Sequence, residues 1–333
     1  MTSRRSVLRT VGLLALAGVA VTAGCARYRA GRAEEAYPPE GDFVEVDGAR
    51  VHYVQAGEGP DVILLHGAGG NLRDFTFDFM DRLTDRYRVT AFDRPGLGYT
   101  DRVPGTPRGP LETEAEPPRA QARLLRGAAE ALGITDPVLV GHSFGGIVSY
   151  GWAVEALDTE SPANPSAIVS LAGVTLPWPG ELGAYYRVNG SPLGGAVTIP
   201  LISAFVPQGT VAEAIENTFT PQPAPDGYAE HIGAGLTLRP RSMRANIRQV
   251  NSLRPHVVEM EKRYPELTLP VEIVHGTLDD TVPIDVHARP FTERFGEIAN
   301  LTELEGVGHM PHHVDPEAAA AAIDRAVARA GLR

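Results

Sequence analysis

Short apolar runs, separated by polar and glycine-rich segments, recur along most of the chain. The runs at 43–46 and 50–54 flank Asp47-Gly48, a turn dipeptide that predicts a β-hairpin between them. The next run, 62–66, is apolar without alternation, which is typical of a strand buried on both faces. Five more runs predict further strands, at 89–92, 138–140, 167–172, 271–274 and 301–304.

Helical patterns fill the intervals between most of these runs. They predict helices at about 72–86, 118–132, 144–157 and 316–332. Alternation of strands and helices predicts an α/β fold, with a mostly parallel eight-stranded sheet covered by helices on both faces. The alternation of strands and helices is interrupted between 174 and 266, where proline and glycine are frequent and no buried-strand pattern occurs. We expect a lid inserted there, after the sixth strand, with helical pieces at 208–218 and 240–262.

The N-terminal residues 1–25 have the three parts of a signal sequence. Arg4, Arg5 and Arg9 precede an apolar run at 11–21, and small residues lead to Cys25. Because a membrane-spanning helix needs about 20 apolar residues, this run of about 11 predicts a signal rather than a spanning helix. The following segment, 26–41, predicts a flexible linker, so the main domain covers 42–333.

This segment resembles a twin-arginine export signal at its start and a bacterial lipobox at its end. The resemblance implies export and lipidation of Cys25, which would hold the protein at the outer face of the cell membrane. Thr22 departs from the leucine that is usual in a lipobox. Plain secretion and an uncleaved anchor therefore stay as alternatives.

Composition limits the classes of partner. The chain has 333 residues, of which 43% are hydrophobic and 21% charged, so it is expected to fold rather than stay disordered. Its formal net charge of −11 disfavours nucleic-acid binding, which requires clustered lysine and arginine. The single cysteine excludes an intramolecular disulfide bond.

Three residues combine into a candidate catalytic site. Ser143 lies in Gly141-His142-Ser143-Phe144-Gly145, between a predicted strand and a predicted helix, where a sharp turn would expose the hydroxyl group. Asp279 and His309 each follow a later predicted strand, so all three residues are expected at the carboxyl edge of the sheet. A serine nucleophile needs a base and a carboxylate that orients it, and the order Ser, Asp, His supplies both.

The chain resembles the α/β-hydrolase superfamily. The resemblance rests on His66-Gly67-Ala68-Gly69-Gly70, the segment Asp93-Arg94-Pro95-Gly96-Leu97-Gly98-Tyr99 and the three catalytic motifs. It implies an oxyanion hole formed by the backbone amides of Phe144 and Ala68, with Gly69 as the alternative to Ala68. It also selects Asp279 over its neighbour Asp280 as the acid.

The function implied is that of an exported serine hydrolase acting on a small-molecule substrate, a lipophilic ester, without a cofactor. The alternatives are a proline iminopeptidase-like peptidase, a non-haem haloperoxidase-like member and a non-catalytic binding protein. His312 and His313 follow His309, but with Asp315 as the nearest supporting carboxylate a metal site is not predicted. His142 is expected to pack below the site, and His66 and His275 are interpreted as structural.

Overall fold

A computed structural model describes residues 4–333, with the side chains of residues 4–7 and 9 outside the description. Its centre is one sheet with the strand order β1-β2-β4-β3-β5-β6-β7-β8. The strands are β1 (Asp42–Val46), β2 (Ala49–Ala56), β3 (Asp61–Leu65), β4 (Arg88–Phe92), β5 (Val138–His142), β6 (Ala167–Leu171), β7 (Val271–Gly276) and β8 (Ala299–Leu304).

The pairing of the strands confirms the predicted fold. β1 and β2 form the hairpin expected around Asp47-Gly48, and β2 is also antiparallel to β4. From β3 to β8 every pairing is parallel. The carboxyl ends of β3, β5, β7 and β8 therefore meet at one edge of the sheet.

Helices cover both faces of this sheet, as expected. They are α1 (Arg4–Ala36), α2 (Arg73–Thr76), α3 (Pro118–Ala131), α4 (Phe144–Ala156), α5 (Ala184–Gly190), α6 (Ile199–Phe205), α7 (Gln208–Phe219), α8 (Tyr228–His231), α9 (Ala234–Thr237), α10 (Pro240–Asn251), α11 (Leu253–Glu261), α12 (Ala288–Phe295), α13 (Pro311–Val314) and α14 (Pro316–Arg329). Along β3, Ile63 and Leu65 pack in the cluster that contains α3 and α4, whereas Val62 and Leu64 pack in the cluster that contains α14. Successive side chains of a strand point to opposite faces, so a strand buried between two layers must be apolar throughout.

Two predicted helices differ from the structure. The segment 72–86 contains the short α2, followed by hydrogen-bonded turns. Phe75 of α2, and Phe79 and Leu83 of the turns, still reach the core. The segment 240–262 consists of α10 and α11, which meet at Ser252. Pro255 accounts for the break, since proline has no N–H to donate and its ring clashes with the carbonyl group four residues earlier.

The predicted lid corresponds to α5–α11, which lie between β6 and β7. A π-helical segment, Gly194–Thr198, leads directly into α6. Along α7, Phe219 is buried, whereas the other side chains are half-buried or exposed. This helix is therefore held by few core contacts.

Helix α1 differs most from the sequence-based expectation. Residues 26–36, predicted as part of a flexible linker, continue the helix, with Ala26 and Ala33 buried against the body. The guanidinium Nη1 of Arg29 donates to the Val206 carbonyl at 2.9 Å, and Glu34 forms an ion pair with Arg239 at 2.8 Å. These contacts fasten the C-terminal part of α1 to the lid.

The N-terminal part of α1 is apolar and exposed. Thr10–Ala36 is long and apolar enough to cross a membrane, a property that it shares with signal sequences. No charged residue occurs between Arg9 and Arg27, so the uncharged segment is longer than the apolar run used for the prediction. At 1.5 Å per residue it extends about 25 Å, close to the thickness of a bilayer core.

Candidate active site

Ser143 sits on a strained turn between β5 and α4. Its backbone angles, φ 53° and ψ −115°, lie in a region that side chains rarely adopt, and such strain concentrates at functional sites. The turn requires glycine on both sides. A Cβ at Gly141 would lie 2.4 Å from the Gly145 carbonyl carbon, and one at Gly145 would lie 1.9 Å from the Leu65 carbonyl oxygen.

The structure brings the three predicted catalytic residues into one hydrogen-bonded chain. The Nε2 atom of His309 lies 2.9 Å from the Ser143 hydroxyl oxygen. The other ring nitrogen of His309, Nδ1, lies 2.7 Å from Oδ2 of Asp279. With Nδ1–H donating to the carboxylate, Nε2 is left as an acceptor for the serine proton.

Asp279 is held so that its carboxylate stays ionised. Oδ1 accepts from the backbone amides of Thr281 and Val282, each at 2.9 Å. Burial alone would raise the pKa of Asp279, but hydrogen bonds to His275 and His309 outweigh it and hold that pKa well below its ordinary value. Asp280, the alternative acid, is exposed and borders the cavity that contains Ser143.

The histidine that precedes Ser143 supports the loop that carries His309. His142 is buried, and its Nε2 lies 3.0 Å from the carbonyl oxygen of His309. Nε2–H is the donor in this pair because the carbonyl oxygen can only accept. His142 also lines a cavity under the lid, and its expected position below the site stays a prediction.

The loop after β3 passes beside Ser143. A Cβ at Gly67 would lie 3.1 Å from that of Ser143, so glycine permits this approach. The next residue, Ala68, borders the cavity that contains Ser143 and Phe144. The amide of Gly69 instead donates to Oδ1 of Asn246, on α10 of the lid, at 2.7 Å. Gly69 therefore has its donor engaged, which favours Ala68 as the oxyanion donor.

A buried arginine fixes this loop, a role that no sequence pattern predicted. Arg94 donates to the carbonyl oxygens of His66 at 2.8 Å and Gly67 at 3.0 Å, and its guanidinium carbon lies 4.3 Å from the centre of the Phe144 ring. Burial lowers the pKa of Arg94 to about 9. The only sequence signal was its place in the Asp93–Tyr99 motif, where Asp93 holds the loop by accepting from the amides of Leu72 and Tyr99.

A second polar cluster lies under the lid. Both oxygens of the buried Asp74 carboxylate have partners: Oδ1 lies 2.8 Å from the Tyr228 hydroxyl and 2.9 Å from His313 Nε2, and Oδ2 lies 3.3 Å from His312 Nε2. These histidines hold the pKa of Asp74 well below its ordinary value, although burial alone would raise it. Asp74, His142 and His312 also offer ligand atoms within 4.8 Å of one another, a spacing that a metal ion could use. The existing partners of Asp74 account for the cluster as a hydrogen-bond network.

Two cavities meet at Ala68. One, of about 500 Å³, contains Ser143 and is bordered by Trp178 and His287. The other, of about 420 Å³, extends under α6 and α7 and reaches Asp74 at its inner end. Ala68 borders both, so a substrate held at Ser143 has room on either side of its reacting carbonyl group.

The fold and the arrangement of the site together define the class of protein to which this chain belongs. A parallel sheet with a serine on the turn after β5, and with an aspartate and a histidine after β7 and β8, is the arrangement of an α/β hydrolase. The family model for the alpha/beta hydrolase family matches residues 62–322, and the chain belongs to this family.

Among relatives, an uncharacterized protein of Mycobacterium tuberculosis is 27% identical over 286 residues, which cover 84% of this chain and 78% of the relative. An esterase from Rhodococcus sp. ECU1013 has a similar structure, with a TM-score of 0.64 and 22% identity, covering 87% of this chain and 98% of that one. A bacterial membrane phospholipase A aligns with a TM-score of 0.60 and 21% identity, covering 97% of this chain and 99% of that one. At these identities the structural likenesses show the fold.

Proposed function

We propose that this protein is a serine hydrolase that cleaves carboxylic esters through an acyl-enzyme. The observation that carries the proposal is the hydrogen-bonded chain from Ser143 through His309 to Asp279, at the floor of a cavity. The esterases among the similar structures agree with it.

In the first half of the reaction, the Ser143 hydroxyl oxygen attacks the ester carbonyl carbon while His309 Nε2 takes the hydroxyl proton. Asp279 keeps the proton on Nδ1 and stabilises the imidazolium that forms. The amides of Phe144 and Ala68 donate to the developing oxyanion, where preorganised donors act most strongly. His309 then protonates the departing alkoxide, and the acyl group stays on Ser143.

In the second half, water enters the vacated alcohol position. His309 Nε2 removes a proton from this water as it attacks the acyl carbonyl, and the same two amides stabilise the second oxyanion. Collapse of this intermediate returns the proton to Ser143 and releases the carboxylic acid. No step requires a cofactor or a metal ion.

Labelling with a fluorophosphonate tests the nucleophile. The wild type should be labelled, and Ser143→Ala should lose the label and lower ester hydrolysis by several orders of magnitude. Ser166→Ala is the matched control, because its hydroxyl donates to the Asp136 carbonyl away from the site. Near-normal turnover by Ser143→Ala would refute the assignment, and an unlabelled wild type would favour a non-catalytic binding protein.

A substrate screen tests the reaction class. We expect turnover of p-nitrophenyl esters, increasing with acyl length, over aminoacyl arylamides, because the cavity under α6 and α7 is lined mainly by apolar side chains. Preference for the arylamides would instead identify a peptidase. Peroxide-dependent halogenation without ester hydrolysis would identify a haloperoxidase-like member.

We also propose that the protein is exported and attached to the membrane through its N-terminal segment, with Cys25 as the lipidation site. Cys25 is half-buried within α1. Palmitate labelling that Cys25→Ser abolishes, with hydrolysis of a water-soluble ester unchanged, would support lipidation. A membrane-bound wild type that retains residues 1–24 would favour an uncleaved anchor, and a fully secreted one would refute attachment.

A further inference from the structure

An unusual concentration of exposed apolar side chains occurs on the lid. We call it the lid face; its members are Tyr185, Val188, Leu193, Val197, Leu201 and Phe205. Their exposure runs from 43% for Leu201 to 74% for Leu193. Outside α1 and this face, the other large apolar side chains exposed in the described residues are scattered: Phe43, Leu111, Leu157 and Leu278. Such a concentration of exposed apolar side chains within one segment of the lid is typical of an interaction site.

The lid face lies beside the part of the chain that is suited to enter a bilayer. Helix α1 packs along α6, and Arg29 donates to the carbonyl of Val206, one residue after α6 ends. Arg29 is two residues beyond Arg27, where the uncharged segment of α1 stops. At 1.5 Å per residue this offset is about 3 Å along the axis of α1. The end of α6 therefore lies nearly level with the end of the uncharged segment of α1, where α1 would emerge from the apolar core of a bilayer.

This placement holds for either mode of attachment. An uncleaved α1 would carry residues 10–26 into the bilayer, and a lipidated Cys25 would put its acyl chains at nearly the same level. In both cases Arg27, which is exposed, would reach the lipid headgroups, where arginine is favoured.

Helix α6 separates this face from the cavity beneath it. Leu201 and Phe205 point outward, whereas their neighbours Ile202 and Val206 line the cavity of about 420 Å³. Tyr185 both lines that cavity and is half exposed on the lid face, which brings one edge of the cavity to this face. The opposite wall is α7, which is held by few core contacts.

We propose that the lid face docks on the surface of a phospholipid bilayer, and that the acyl chain of a membrane-lipid ester enters the cavity at the edge beside Tyr185. The proposal rests on ester hydrolysis at Ser143 and adds the substrate class to it. The bilayer is the occupant because α1, the segment apolar and long enough to enter it, is fastened to the same lid helix. The ester carbonyl reaches Ser143 past Ala68, which borders both cavities.

The first test measures hydrolysis by the full-length protein in vesicles of phosphatidylethanolamine and phosphatidylglycerol that contain a phospholipid with a fluorescent acyl chain. Leu201→Asp/Phe205→Asp should lower hydrolysis of this lipid about 100-fold, because two apolar contacts with the bilayer are replaced by charges. Hydrolysis of p-nitrophenyl acetate should stay unchanged. Leu157→Asp is the control, since Leu157 ends α4 about 20 Å along that helix from Ser143.

The outcomes separate this inference from the proposed function. A wild type that hydrolyses p-nitrophenyl acetate but not the vesicle lipid overturns the inference alone, and one that hydrolyses neither overturns the proposed function. Vesicle-lipid hydrolysis by Leu201→Asp/Phe205→Asp at the wild-type rate also overturns the inference.

A second test does not depend on activity. Phe205→Trp in the same vesicles, made with brominated acyl chains, should show strong quenching of its added fluorescence, whereas Leu157→Trp should show none. The native Trp152 is fully buried and serves with Trp178 as the background to subtract. Equal quenching of the two added tryptophans would overturn the docking of the lid face.

Discussion

Replacing Asp279 by asparagine isolates the tautomer of the catalytic histidine. In the native site, Oδ1 of Asp279 accepts from the amides of Thr281 and Val282, and Oδ2 faces His309 Nδ1. An asparagine would keep its carbonyl oxygen toward those two amides, so its NH₂ group would face Nδ1. Two donors cannot bond, and His309 would shift its proton to Nε2. Nε2 of His309 would then carry a proton and could not accept the proton of the Ser143 hydroxyl group.

The expected cost follows from that loss of the base. The same change in the general Ser-His-Asp mechanism lowers kcat about 10⁴-fold, equivalent to about 5.4 kcal/mol of transition-state stabilisation. Hydrolysis of p-nitrophenyl butyrate measures kcat, and thermal unfolding shows whether the variant folds. The control is Asp280→Asn, which should stay within about twofold because Asp280 is exposed and the Thr281 hydroxyl lies 3.5 Å from its carboxylate, too far for a strong hydrogen bond. A larger loss for Asp280→Asn than for Asp279→Asn would refute the assigned acid.

Three further predictions follow from the geometry of the fold. Burial is the main cause that lowers the pKa of three histidines to about 4; they are His66, His287 and His312. In the unfolded chain these histidines bind protons below about pH 6.5, whereas in the folded protein they stay neutral down to about pH 4. The free energy of unfolding should therefore be highest above pH 6.5 and fall by about 1.4 kcal/mol per pH unit for each histidine between pH 6.5 and pH 4. Urea titrations that gave equal stability at pH 7 and pH 5 would contradict this. Gly145→Ala should prevent folding or cost more than about 3 kcal/mol, because its Cβ would lie 1.9 Å from the Leu65 carbonyl oxygen, whereas Gly209→Ala, with open space around it, should not destabilise α7. Asn246→Ala should lower kcat on the order of tenfold with little change in unfolding temperature, since it releases the amide of Gly69 and loosens the oxyanion loop; unchanged kcat would refute that role.

The sheet and the meeting of Ser143, Asp279 and His309 could be predicted because both leave periodic or positional signals. A strand buried on two faces must be apolar throughout, and a nucleophile turn requires glycine at fixed positions around Ser143. Once the strands are placed, parallel pairing brings Asp279 and His309 to the same edge. The order of the strands therefore predicts that these residues lie close enough for hydrogen bonds, although they are far apart in sequence.

The supporting polar residues left no comparable signal. Asn246 reaches Gly69 across 177 positions, and Tyr228 reaches Asp74 across 154. A single asparagine on a helix or a tyrosine in a lid looks the same whether it bonds a catalytic loop or faces solvent. Only the packing of the lid on the sheet makes these contacts, and no pattern along the sequence reports that packing.

The docking of α1 was missed for a different reason, since its buried apolar residues, Ala26 and Ala33, are small. A Cβ added at Gly235 would lie 2.9 Å from the Cβ of Ala33, and one at Gly233 would lie 2.8 Å from the Tyr37 ring. Small side chains let two backbones approach closely but give little hydrophobic contrast along a helix, so a segment such as 26–36 has the composition of a linker. The close approach at Gly235, together with the Glu34–Arg239 ion pair, fixes α1 relative to the lid. Because of this fixed relation, the proposed insertion of α1 into a bilayer would also set how the lid is oriented relative to the bilayer surface.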